Sequence, residues 1–237
     1  MALQRSAPAA AGQRVRVWDL PTRLFHWLLA LSMISAFVSA HLGGYAAQRL
    51  HFLSGYAVLA LVGFRLAWGF AGPRYARFAQ FVQAPAVTLG YVARLMRPEP
   101  GIQDPGYPGH NPLGALSVLA LLAACGAQAA TGLFSYDEVA SAGPLAHFVS
   151  DALVERLSGL HDRGEVVLYV LIGLHLGAIG FYRWFKRDDL LVPMITGDKI
   201  LPLAADAAPT EERGSWARAA LLLGLSLALV CFVVNLA

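Results

Sequence analysis

Apolar residues run along this chain in five blocks of about twenty, and the stretches between them hold most of the charge. The first block, "RLFHWLLALSMISAFVSAHL", covers 23–42, and the second, "LHFLSGYAVLALVGFRLAWGF", covers 50–70. The third, "NPLGALSVLALLAACGAQAATGLF", runs over 111–134. The fourth, "LHDRGEVVLYVLIGLHLGAIGFYRWF", takes 160–185, and the fifth begins near 216 and continues to 237. A helix rises 1.5 Å per residue, so each block is long enough to cross the ~30 Å of a bilayer's hydrocarbon. The pattern predicts an all-α integral membrane helical bundle. The segment from 71 to 110, rich in glycine and proline, reads as a connection, and the Ala/Pro-rich 201–210 reads as a linker to the last span.

Charge orients the bundle. Arg5, Arg14, Arg16 and Arg23 precede the first block, and Arg74, Arg77, Arg94 and Arg97 lie between the second and third. Arg183, Lys186, Arg187, Lys199 and Arg213 follow the fourth. The other two connections carry Arg49 in one, and Asp137, Glu138, Asp151 and Glu155 against Arg156 and Arg163 in the other. Positive loops stay in the cytoplasm, which predicts an N-terminus inside and a C-terminus outside. A cleaved leader ending at "FVSA" is the rival reading of the first block. More than twenty residues precede that block, and a leader has no use for His26 within it.

Composition narrows the class further. The 237 residues are 57% hydrophobic and only 14% charged, against about a quarter charged in soluble domains. The formal net charge of +3 comes without a basic cluster of the kind that binds nucleic acid. Cys125 and Cys231 both lie inside apolar blocks and read as small buried side chains. No CxxC occurs, so zinc and iron–sulfur sites lack ligands, and no CxxCH occurs, so covalent c-type haem is excluded.

The chemistry lies in the histidines. Of seven, four fall within or at the ends of the blocks at matching depths: His26 in the first, His51 in the second, and His161 and His175 in the fourth. Fourteen residues of helix return to nearly the same face about 21 Å further along, so His161 and His175 share one stripe. By depth the four form two pairs, His26 with His175 near the inner side and His51 with His161 near the outer. A single histidine in a membrane helix is commonly a hydrogen-bonding residue between helices, because a polar group in lipid needs a partner. Four that match in depth across three helices point to ligation instead. Two facing imidazoles fill both axial positions of haem iron, whereas His161 and His175 lie too far apart for one zinc or copper ion. The set predicts two non-covalent b-type haems with bis-histidine ligation. His41, His110 and His147 fall at loop edges and read as solvated or interfacial, with a cap on the third span or a quinone contact as the alternative for His110.

Arg65 stands fourteen residues beyond His51, on the same helix face and level with the inner pair. Snorkelling to the cytoplasmic interface is one reading. The other is a salt bridge to an inner-haem propionate, whose carboxylate matches the guanidinium fork.

Taken in order, "VWDLPTRLFHW", "LHFLSGY", "RLAWGFAGPRYARF", "GHNPLGA" and "LHDRGEVVLYVLIGLHLGAI" resemble the bacterial cytochrome b561 / nickel–iron hydrogenase b-type cytochrome subunit family, over about 15–197 including "MITG". The resemblance implies a four-helix bundle holding b haem by histidines on helices one, two and four, here His26, His51, His161 and His175. It also implies electron transfer between a membrane quinone and a redox partner at the outer face, such as a c-type cytochrome, a dehydrogenase or a hydrogenase. The expected organisation is a cytoplasmic segment 1–22, a four-helix di-haem core 23–197, a linker 198–215 and an additional transmembrane helix 216–237. That fifth helix has no counterpart in the four-helix core and is a candidate surface for a partner subunit or a second copy of the chain. An electron-transfer subunit is favoured over a self-sufficient oxidoreductase that takes electrons from a small outer-face reductant and reduces quinone, because the short loops leave little room for a catalytic domain. A non-haem transporter or scaffold is the reading from another class.

Overall fold

The computed structural model of the chain describes residues 13–97, 107–137, 141–201 and 216–236. Arg5, Glu138, Arg213 and most of the expected linker lie outside the described residues. A short strand β1 (Gln13–Arg16) leads into α1 (Leu20–Ala40). Asp19 starts that helix: its carboxylate accepts from the Thr22 amide at 2.6 Å, and Pro21 occupies the first turn, where its missing N–H is harmless. Gly44, at φ +98°, makes the tight corner into α2 (Tyr45–Ala71), a backbone region that side chains disfavour. Beyond Gly72 come a short α3 (Phe78–Phe81) and a surface helix α4 (Pro85–Met96).

Asn111 caps α5 (Pro112–Gly132) by accepting from the Gly114 amide at 2.7 Å, again with proline in the first turn. Two residue pairs, β2 (Tyr136–Asp137) and β3 (Ser141–Ala142), form a small ribbon before α6 (Asp151–Phe181). The last turn of α6 widens into a π-helical segment, Tyr182–Lys186, that stops at Arg187 in a left-handed conformation. A short α7 (Leu191–Thr196), a strand β4 (Asp198–Leu201) and the last helix α8 (Trp216–Val234) complete the described chain.

Among the described residues, five helices are long and apolar enough to span a membrane: α1, α2, α5, α6 with its π turn, and α8. They match the five predicted blocks, although α6 starts nine residues before the predicted 160. The added segment, "DALVERLSG", is too polar to join a hydropathy block yet holds no helix breaker until Gly159. Two expectations are corrected. The connection 71–110 contains α4, and residues 198–201, read as linker, pair antiparallel with β1, Gln13 opposite Leu201 and Arg16 opposite Asp198. Val15, Val17, Trp18 and Leu201 bury one face of that ribbon against Tyr75 and Met194. A period-two signal only four residues long is hidden when its partner strand lies 182 positions away.

Helix α2 is the hub. It packs on α1, α5 and α8, and its Val58, Leu61, Val62, Phe64 and Trp68 meet Phe25, Met33, Leu122, Cys125 and Ala219 in the core. Lipid is as apolar as leucine, so helix association in a membrane depends on close packing and small residues. The α2–α8 contact is built that way: Ser226 Oγ donates to the Ala60 carbonyl at 2.7 Å, and a Cβ on Gly63 would stand 2.5 Å from that hydroxyl. Helix α6 packs closely on α5, and Leu168 is its one fully buried residue. Its backbone is set farther from α1 and α2, which it meets through side chains such as Phe37 and Tyr169, with ring centroids 4.7 Å apart.

Candidate functional site

The histidines meet between α6 and the α1–α2 pair. His26 in the second turn of α1 faces His175 of α6, with ring centroids 6.4 Å apart and planes inclined 48°. His51 near the start of α2 faces His161 of α6, with centroids 6.1 Å apart and planes at 87°. The antiparallel run of α1 and α2, with α6 lying across both, brings together the two pairs that spacing predicts. Each ring pair bridges α6 to a helix whose backbone it approaches less closely than that of α5.

The two pairs are held differently. His51 Nδ1 lies 3.0 Å from the Ala36 carbonyl, and His161 Nδ1 lies 2.9 Å from the Gln128 carbonyl. A carbonyl only accepts, so both rings carry the proton on Nδ1 and keep the Nε2 lone pair for a ligand. Beside them lies a cavity of about 800 Å³, lined among others by Phe37, Tyr56, Gln128, Asp162 and Glu165. His26, in contrast, has a buried Nδ1 with no hydrogen-bond partner.

Arg65 is only 2% exposed, and its guanidinium carbon lies 5.0 Å from the centre of the Phe78 ring. Its Nη1 is buried with no hydrogen-bond partner. Buried cations are normally paired, so this fork has capacity for an anion. Snorkelling is not its state, because the side chain is enclosed. Nearby, Asp19 closes a network: one oxygen caps α1 and the other accepts from the Trp68 indole at 2.9 Å.

His110 is half-buried at the end of the third span. Its ring lies 4.7 Å from that of Trp18, tilted by 46°, and meets Phe81 edge-on at 4.8 Å. Burial, reinforced by the Arg65 charge, pushes its pKa down to about 3. His41 and His147 are exposed as expected, and His41 Nε2 lies 3.7 Å from Glu165. Sequence reasoning missed Asp19, Trp68 and Gln128. Asp19 before Leu-Pro is a legible cap signal, and Gln128 is a lone amide in an apolar block, which lipid makes conspicuous.

Paired imidazoles of this kind suit a planar metallocofactor. With a metal–imidazole bond of about 2.0 Å, two in-line rings on one metal stand roughly 6 Å apart centre to centre, close to both observed separations. The cavity falls within the size range of cofactor sites. Among the described residues no cluster of three or more His, Cys, Asp or Glu could hold a bare metal ion. Fold and site together define a multi-pass helical membrane protein of the cytochrome b type. A family model for prokaryotic cytochrome b561 matches residues 17–197, and the chain belongs to that family. No curated protein and no solved structure matches it. Membership implies a membrane b-type cytochrome that works in electron transfer. Helix α8 lies beyond the matched region.

Proposed function

We propose that this chain binds two b-type haems, one between His26 and His175 and one between His51 and His161, and carries electrons across the bacterial inner membrane between the quinone pool and a periplasmic redox partner. The observation that carries this reading is the pair of ring separations, 6.4 and 6.1 Å, between the histidines of α6 and those of α1 and α2. His26 with His175 and His51 with His161 would hold the b-type haem, which when bound would supply one-electron redox chemistry.

The rest is done by the protein's own groups. The carbonyls of Ala36 and Gln128 hold His51 and His161 in the tautomer that presents Nε2. Phe25, Phe64 and Trp68 keep water from the side of α2 nearest Arg65. Arg65 supplies a desolvated cation for a propionate of the inner haem. The end of α6 that carries Asp151 and Glu155 faces the periplasm in the positive-inside orientation and offers carboxylates to a basic partner such as a c-type cytochrome. Electron exchange with such a partner then slows as salt rises.

A pyridine haemochrome assay on purified full-length protein tests the proposal. Two haems b per chain are expected, and His51→Ala and His26→Ala should each leave one. A chain purified without haem would return the four histidines to packing and favour a transporter or scaffold.

A further inference from the structure

Helix α5 carries no candidate ligand, yet it shapes the surroundings of one. His161 Nδ1 is 2.9 Å from the Gln128 carbonyl and 3.3 Å from Thr131 Oγ1. Thr131 Oγ1 in turn donates back to the Ala127 carbonyl at 2.8 Å, so its lone pairs are turned outward to the imidazole N–H. The Gln128 side-chain amide donates to the His161 carbonyl at 2.9 Å, tying the backbone of the same residue whose ring its own carbonyl orients.

Two glycines make this approach possible. A Cβ on Gly132 would stand 2.9 Å from His161 Cε1 and 3.2 Å from Nδ1, so the ring lies where any side chain at 132 would be. Across the interface, a Cβ on Gly164 would stand 2.0 Å from Gln128 Oε1. Each helix thus has a notch for the other's polar side chain. The ordinary contact on the same helix is Gly126, whose Cβ would meet Val62 at 3.5 Å.

We propose that Gly132, Thr131 and Gln128 form a positioning set on α5 that fixes the rotamer and tautomer of His161, so that the outer site is assembled by a helix that gives it no ligand. The inference rests on the haem reading above. A ring pushed out of the notch turns Nε2 away from His51, whereas a ring that loses only the hydroxyl keeps its direction but changes its basicity. Loss of an outer-shell partner to a ligating histidine typically weakens metal affinity about 10–100-fold.

The test uses full-length protein and two readouts, haem per chain and midpoint potentials from a spectroscopic redox titration. Gly132→Ala is expected to lower haem from two per chain to one. Combined with His51→Ala it should remove nothing more, and combined with His26→Ala it should leave none. Gly126→Ala should keep both haems. Thr131→Val should keep both as well, but shift the potential of one centre, the centre lost in His51→Ala. A Gly132→Ala protein with two haems at wild-type potentials overturns the proposal. If that variant does not accumulate in membranes, Thr131→Val decides, and unchanged potentials overturn the proposal. Wild-type protein without haem would instead sink the functional reading itself.

Discussion

At the residue scale, the buried cation is the most exposed to test. Arg65 is enclosed with Nη1 unpartnered, and an enclosed guanidinium without an anion is unfavourable by several kcal/mol. Arg65→Ala should therefore leave about one haem per chain, with the His51–His161 spectrum intact. Arg65→Lys should keep the charge but lose the fork, giving intermediate retention. If Arg65 served packing alone, Arg65→Met would retain both haems. The four paired histidines were legible because polar groups stand out in apolar blocks and because fourteen residues nearly close an integral number of helical turns. Gln128 and Gly132 were not, because their role depends on which face of α5 meets α6.

At the element scale, α8 shows how a helix outside the family's matched region attaches. It lies against α2 through small residues, Ala60, Gly63 and Ala219, with interhelical hydrogen bonds from Ser226 to the Ala60 carbonyl and, at the helix end, from Arg218 to the Ala71 carbonyl at 2.9 Å. Hydrogen bonds between membrane helices are worth about 0.6 kcal/mol on average, so Ser226→Ala should lower detergent stability only slightly. Gly63→Leu should do more, because its side chain occupies the place of the Ser226 hydroxyl. Thermal inactivation in detergent, followed by loss of the haem spectrum, would separate the two. Equal effects would mean that the bond, not the close approach, holds α8. Helix α4 was hidden for another reason. Twelve residues of mixed polarity between proline and glycine signals read as a connection, while its Tyr91 hydroxyl meets that of Tyr182, 2.5 Å away at the end of α6. A contact between residues 91 positions apart leaves no local trace.

At the scale of the whole molecule, the arginine-rich end is closed by the β1–β4 ribbon, α7 and the aromatic cluster around His110. Arg23 Nη1 donates to the Ile195 carbonyl at 2.5 Å and Trp27 Nε1 to the Met194 carbonyl at 3.3 Å, tying α1 to the far end of the family region. His110 belongs to this closure, and its depressed pKa makes a pH prediction. The unfolded chain takes up a proton near 6.5, whereas the folded protein refuses it until about 3. The unfolded state then binds more protons between those values, so stability falls as pH drops through that window. Asp189, which accepts from the Leu191 and Val192 amides and pairs with Arg183, is held below the usual carboxylate range and contributes its own loss at the acid end. His110→Phe should flatten the upper part of the profile, from pH 6.5 to about 4.5, in detergent unfolding experiments. An unchanged slope there would show that His110 is not the source of the acid sensitivity.

The sequence by itself determined the solvent of this protein, its five spans and the residue types able to hold a cofactor. Those properties are local: hydropathy over twenty residues decides partition into lipid, and helical periodicity decides which histidines share a face. Tertiary structure alone decided that α6 packs most closely on α5, that its two histidines meet His26 and His51 at 6.4 and 6.1 Å, and that an α5 carbonyl holds one of those rings. It also decided that the two chain segments flanking the family region pair as strands. In lipid every span is apolar all round, so hydropathy carries little information about which faces meet. That choice is made by close contacts of small residues and by a few buried polar groups seeking partners, and both depend on residues far apart in the chain.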